Sequence, residues 1–291
     1  MEYDYFKENM GKWRLKELLT LTNTFEEVFS NAVNEKGINE ETYETILANI
    51  CGKTLVTSRE IITLCANGYP DGALSLARNV FEQMIIIAFF EQRKNNPDFI
   101  EIVEKYFKNY TIQRNRILRD IYEMRNDSNK EREYRQKLRD FKDDNNISDI
   151  RDYWWSGYNS FSELCKAVIK IEASDDKLMN SLLCQLYSNY KRACLSIHAN
   201  CMGNAIRLGK DSYIGLVDTS PTTKGQEHPL HFLTLSLIYI VCTSCKIFEI
   251  DYKTLQKDFT VLASFYSIFQ RTHIREHRYR CSQFCQFCTC V

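Results

Sequence analysis

The chain has 291 residues, enough for one large domain or two modest ones, with hydrophobic residues at 44% and charged residues at 26%. Lys+Arg and Asp+Glu are equal at 38 each. That balance argues against a protein built around the phosphate backbone of a nucleic acid, although a local basic patch could still exist. With only 10 Gly and 4 Pro, chain breakers are few and long periodic segments read as helix.

The start, "MEYDYFKENMGKW", has no basic region followed by an apolar core, so no secretory signal is expected. Residues 4 to 34 read as a helix, with Phe6, Met10, Trp13, Leu18, Leu21, Phe25 and Phe29 at three- and four-residue spacing. Gly37 ends it, and a second helix runs from Asn39 to Gly68, with Gly52 as a candidate bend. Pro70-Asp71-Gly72 opens a third, for which Asp71 is the expected N-cap. From Met84 to Phe90 this helix is apolar on every side, which places it in the centre of a bundle. Asn96-Pro97 opens a fourth, with Pro97 at the first helical position, and it extends to Met124.

Residues 125 to 152 are dense in charges of both signs and read as a solvated helix and loop, with a polar docking surface as the alternative. Aromatics return at "DYWWSGYNSF", followed by a short helix from Ser160 to Ile171. Ser174 caps the next helix, which runs to Leu208. Residues 209 to 229 form the only long loop, and helices follow over 230 to 249 and 252 to 275. The apolar run from Pro229 to Cys245 falls short of the ~20 residues of a membrane span and contains His231, Thr234 and Ser236. It reads as a buried core helix, and no membrane span is expected.

No strand-period run is long enough to build a sheet, and no repeat is present. The expected fold is all-α, an irregular bundle of about eight to nine helices. The expected divisions are an N-terminal helical segment, 1–68, a core helical domain, 69–250, and a C-terminal helix with a Cys-rich tail, 251–291. Twelve cysteines are present, most of them single and inside apolar helical patterns, which fits reduced thiols in a cytoplasmic protein.

The third helix carries Arg78 and Glu82 on one face with Leu74, Ile85 and Phe89. Arg before Glu at this spacing is the less favourable order for a surface pair, so local helix stabilisation is a poor reason for it. A buried charge must be paired, because an orphan costs several kcal/mol. The pair is therefore expected to be buried, its partners Tyr190 or His198 on the helix after Ser174. There Tyr187, Lys191, Cys194 and His198 line the edge of a core stripe. Two readings remain. One is a structural ion pair. The other is a polar pocket with Arg78 as anion anchor and Glu82 as its orienter or a general base.

The blocks "ALSLARNVFEQMIIIAFF", "YWWSGYNSFSELC" and "YSNYKRACLSIHAN" together resemble the prokaryotic domain-of-unknown-function 5677 family over residues 55 to 250. The matching positions are Arg78, Glu82, Trp154 or Trp155, Tyr187, Tyr190, Ser196 and His198. The resemblance implies an all-helical bacterial protein and brings no activity with it. A weaker resemblance is to HEPN-type helical ribonucleases, through an Arg and a His with five residues between them: Arg192 and His198, or Arg271 and His277. Six steps on a regular helix set Arg192 and His198 ~120° apart, so they converge only through a kink, long side chains or a dimer. Converged, the arginine would stabilise phosphate charge and the histidine would act as general acid or base, without metal.

The tail places His273, His277, Cys281 and Cys285 at steps of four, followed by Cys288 and Cys290. Thiolate and imidazole suit zinc. Four ligands so spaced span about 18 Å of straight helix, too long for one tetrahedral site. An irregular tail is the simpler reading, with no cofactor expected and zinc as the alternative. No phosphate loop, His-Glu-x-x-His or nucleophile elbow occurs.

The expected function is a non-catalytic interaction or regulatory helical protein that engages a protein, an RNA or a second copy of itself. The alternatives are a HEPN-like, metal-independent ribonuclease or nucleotide-handling effector of stress or phage defence, and another enzyme. Candidate catalytic residues are Arg78, Glu82, His198, Arg192 and Tyr190.

Overall fold

The structure, a computed structural model, describes residues 15–38, 41–145, 151–172, 177–197, 225–251 and 255. Eight α-helices and one 3-10 turn make up its regular structure, and no strand occurs among the described residues. The helices are α1 (Leu15–Lys36), α2 (Tyr43–Ala66), α3 (Pro70–Arg93), α4 (Phe99–Met124), α5 (Ser128–Asp144), α6 (Phe161–Glu172), α7 (Lys177–Ile197) and α8 (Glu227–Ile247). The protein is all-α.

By compactness the chain divides into two units that interleave along the sequence. The first comprises Met1–Ile38, Leu47–Met84 and Glu172–Val291; the second comprises Asn39–Ile46 and Ile85–Ile171. Both α2 and α3 contribute residues to each.

The core of the first unit follows from helical periodicity. On α1, Leu15, Leu18, Leu21, Phe25 and Phe29 are buried, at the spacing that lines one face. Phe81 of α3 stacks on Phe232 of α8 with ring centroids 4.9 Å apart, and tilts against Tyr190 of α7 at 5.8 Å. Two pairs of polar groups meet inside this core: Thr54 Oγ1 donates to Gln83 Oε1 at 2.6 Å, and Cys51 Sγ lies 2.8 Å from Ser244 Oγ. At the surface, Arg59 of α2 clasps Asn23 and Glu26 of α1. Lys36 Nζ donates to the Ile247 carbonyl at 3.0 Å, one of the acceptors left open where α8 ends.

The second unit is built on aromatics. Trp155, 2% exposed, stacks on Phe90 at 5.5 Å and meets Tyr106 edge-on at 4.8 Å. Next to it, Trp154 Nε1 donates to Asn109 Oδ1 at 2.9 Å, and Arg116 pairs with Asp152 at 2.7 Å. The charged segment folds into α5, which buries Leu138 against Ile112 of α4, with Phe141 and Trp154 packed on the pair. Asn126, at φ 55, turns the chain, and Asp127 caps α5 by accepting from Lys130 N. At α6, Glu163 N donates to Ser160 Oγ and Asn159 N donates to Glu163 Oε2, a close variant of the capping box.

Two local expectations are corrected. Asp71 is not an N-cap: α3 begins at Pro70 and Asp71 sits in its first turn. Pro97 is not in the fourth helix; Asp98 is the N-cap and Pro97 lies in the preceding turn, where Phe99 N bonds to the Asn96 carbonyl. The helix α2 runs through Gly52 to Ala66. Residues 1–14, 198–224 and 252–291 lie outside the described residues, apart from Leu255. With them lie the N-terminal turns of the first helix, most of the long loop, and the expected helix over 252 to 275. Among the described residues two helices, α3 and α8, are long and apolar enough to cross a membrane, and most of the apolar stretch of each is buried inside the protein.

Candidate functional site

The charged pair of α3 belongs to the first unit. Arg78 Nε lies 3.3 Å from Glu82 Oε1, with the two side chains 23% and 21% exposed. They are therefore half-buried. The fully apolar surroundings implied by Leu74, Ile85 and Phe89, each 2% exposed or less, describe their neighbours rather than the pair itself.

α7 supplies the other half of the site. Its core stripe is as the periodicity requires: Leu183, Leu186, Tyr190 and Ala193 are buried. Tyr190 brings its hydroxyl to Glu82 as a hydrogen-bond donor and lies close to Cys194 as well. Arg78 Nη1 donates to Cys194 Sγ at 3.8 Å, a weak, long bond to a soft acceptor. Tyr187 stacks beside Tyr190 with centroids 6.2 Å apart, and the exposed Lys191 ammonium sits over the Tyr187 ring at 5.3 Å. From α2, the exposed Lys53 is near enough to act on Glu82.

Electrostatics differ at the two ends of the pair. Burial lowers the Arg78 pKa, but the Glu82 carboxylate, with Cys194 and Tyr190, outweighs it and the net direction is up. At Glu82 burial raises the pKa, and Arg78, the Tyr190 hydrogen bond and Lys53 offset it only in part, so the net direction is also up. Pairing alone would have lowered it. The carboxylate is thus the more desolvated partner. Tyr190 is held as a neutral phenol, its pKa raised by burial and by the Cys194 and Glu82 contacts.

One feature of Arg78 stands out chemically. A guanidinium has five N–H donors. Arg78 Nε is buried and makes no hydrogen bond despite its short distance to Glu82. Among the described residues, the single Nη1 contact to Cys194 is the only hydrogen bond of the group. Among the described residues most of its donors are therefore unspent, at a site still open to solvent.

Of the candidate residues, the structure brings together Arg78, Glu82 and Tyr190. The Arg192 side chain and all of His198 lie outside the described residues, as do Arg271, His273, His277, Cys281, Cys285 and Cys288. Among the described residues no group of three or more His, Cys, Asp and Glu could hold a metal. Cys194 was placed on the edge line of this helix by its spacing but given no role; Lys53 was not singled out and carries no signal, since an exposed lysine is ordinary. Trp154 and Trp155 serve the second unit, one as a hydrogen-bonded flank and the other as core.

Residues 44–213 match a family of unknown function, DUF5677. That is well over half of the chain. The chain belongs to this family. The DUF5677 segment contains Lys53, Arg78, Glu82, Tyr190 and Cys194, so the whole polar cluster lies inside it. It starts before and ends short of the 55–250 span suggested by the sequence blocks. No curated protein and no solved structure is significantly similar to this DUF5677 chain.

Proposed function

We propose that the protein is a non-catalytic, regulatory helical domain of a bacterial cytoplasm, without a membrane span, that responds to a small anionic ligand at Arg78. The observation that carries this reading is the half-buried guanidinium, with most of its donors unspent among the described residues and oriented by Glu82 and Cys194. Carboxylate and phosphate groups are the natural complements of such a fork. Lys53 and Lys191 add positive charge at the rim, and Tyr187 offers a ring face beside it.

Melting temperatures in a non-coordinating buffer test this, with phosphate, pyrophosphate, citrate and AMP added in turn. A ligand at ~100 times its Kd adds about 2.7 kcal/mol, or roughly 5–10 °C for a domain of this size. At least one of the four anions is expected to give such a shift, and Arg78→Lys to abolish most of it. No shift from any of them, or an equal shift in the variant, contradicts the reading.

A second reading, an enzyme with Glu82 as general base, is favoured by the burial that raises its pKa towards neutrality. The HEPN-like alternative rests on the Arg192–His198 spacing; cleavage of a generic RNA, lost in His198→Ala, would support it.

A further inference from the structure

Glu82 and any anion that reaches Arg78 compete for one guanidinium. Arg78 Nε is 3.3 Å from Glu82 Oε1 and makes no hydrogen bond to it. Among the described residues the one hydrogen bond of the guanidinium goes to Cys194 Sγ. The carboxylate thus offsets the charge of the arginine without using its donors. An anion that takes those donors sets a second negative charge beside the first. Two anions sharing one half-buried site raise the pKa of whichever can accept a proton.

Glu82 can accept one. Its side chain is 21% exposed, so it stays within reach of solvent. The Tyr190 hydroxyl of α7 donates to the carboxylate, and a neutral carboxyl keeps an oxygen that can still accept that bond. Lys53 of α2 acts on the same group. Arg78, Tyr190 and Lys53 are the charged and titratable groups that act on Glu82 among the described residues, while Cys194 bears on Arg78 and Tyr190. Burial outweighs the two cations and holds the Glu82 pKa above its ordinary value before any anion arrives. With Glu82 neutral, Arg78 and Lys53 are two positive charges with no ionised carboxylate between them, which suits a dianion.

We infer that a dianion binding at Arg78 takes up one proton onto Glu82, so that affinity rises as pH falls; this rests on Arg78 being an anion anchor. The proton comes from solvent and joins a carboxylate oxygen, and no other bond forms or breaks. Above the Glu82 pKa the anion must draw in that proton or displace the carboxylate, and binding weakens. Below it the carboxyl is already neutral, and binding no longer depends on this proton.

Isothermal titration calorimetry between roughly pH 5 and 8 tests the coupling. The probe is whichever of phosphate, pyrophosphate, citrate and AMP raises the melting temperature most. Glu82→Gln keeps an acceptor for Tyr190 and removes the charge, and comparison with it cancels the titration of the probe. Wild-type affinity is expected to fall relative to the variant by about three- to tenfold per pH unit once pH exceeds the Glu82 pKa. The variant is then the tighter binder at the alkaline end. Wild-type heats in two buffers of different ionisation enthalpy are expected to report proton uptake beyond that of the probe, whose own titration is measured separately. That reading needs no variant. Parallel pH profiles for the two proteins, or a variant weaker than wild type at every pH, overturn the coupling and leave Arg78 an anion site. Failure of all four anions to bind at any pH takes down the anion site as well.

Discussion

Arg78 and Glu82 face each other across one turn of α3 at 3.3 Å, yet the arginine Nε makes no hydrogen bond to the carboxylate. Contact without hydrogen-bond geometry means the pair holds position by charge while Tyr190 and Cys194 take the directional bonds. This is a looser arrangement than a bidentate structural bridge, and among the described residues it leaves most donors of the guanidinium unspent.

The pair contributes to stability, but less than a fully buried one. Removing a partner from a buried pair costs about 3–5 kcal/mol. With each side chain roughly one-fifth exposed, Arg78→Met and Glu82→Leu are each expected to cost about 1–3 kcal/mol. Together they should cost less than the sum, because neither leaves an orphan charge. Urea unfolding of the four proteins measures this; strict additivity would show that the two residues do not act as a pair.

The stability contributed through Glu82 depends on pH in a definite sense. Its pKa in the folded protein is raised, chiefly by burial, so the folded state binds the proton more tightly than the unfolded chain. Its contribution is fully present below the ordinary value of 4.5 and is lost as pH rises through the higher folded value. Glu26 runs the other way. The hydrogen bond from Arg59 lowers its pKa, so its contribution is lost as pH falls through the acid range. The difference in unfolding free energy between wild type and Glu82→Gln should therefore shift against the wild type between the ordinary and raised values. A flat difference contradicts this account of the carboxylate.

The cysteines should react in an order set by burial. Cys51, Cys65 and Cys245 are buried, and burial pushes each thiol up to about 12, so almost no thiolate forms at neutral pH. Cys184 is exposed and Cys194 is half-buried beside Arg78. Brief alkylation of the native protein with iodoacetamide, followed by peptide mapping, should label Cys184 well before Cys51, Cys65 and Cys245. Equal labelling would show that the α2–α8 core opens readily.

Trp155 and Trp154 are neighbours with different duties, and substitution should separate them. Trp155→Ala removes the ring between Phe90 and Tyr106 and is expected to cost about 3–5 kcal/mol. Trp154→Phe keeps the edge contact with Phe141 and loses only the bond to Asn109, at about 0.5–1.5 kcal/mol. Denaturation curves of the two variants check this ordering.

Much of the fold was legible because it rests on period and burial alone. The apolar run from Met84 to Phe90 had to be interior, and all but Ile86 is buried. The ends of α3 and α4 were less legible. Prolines 70 and 97 both suggest a start, and which one lies inside its helix depends on the turn that precedes it. At the site, the Arg78–Glu82–Tyr190 grouping followed from facing, since charges in an apolar stripe need partners. The extent of their burial did not, because an edge position and a central one look alike on a helical wheel.

The Arg78 guanidinium itself gives the most direct test. In protein labelled with [15N]arginine, the Nε–Hε signal of Arg78 is assigned by its absence in Arg78→Lys and followed during titration with phosphate and with AMP. The account predicts that this signal moves saturably with one of the two while those of surface arginines such as Arg135 barely move. A signal that stays fixed, or that drifts without saturating in step with the surface arginines, would contradict the claim that Arg78 is an anion anchor.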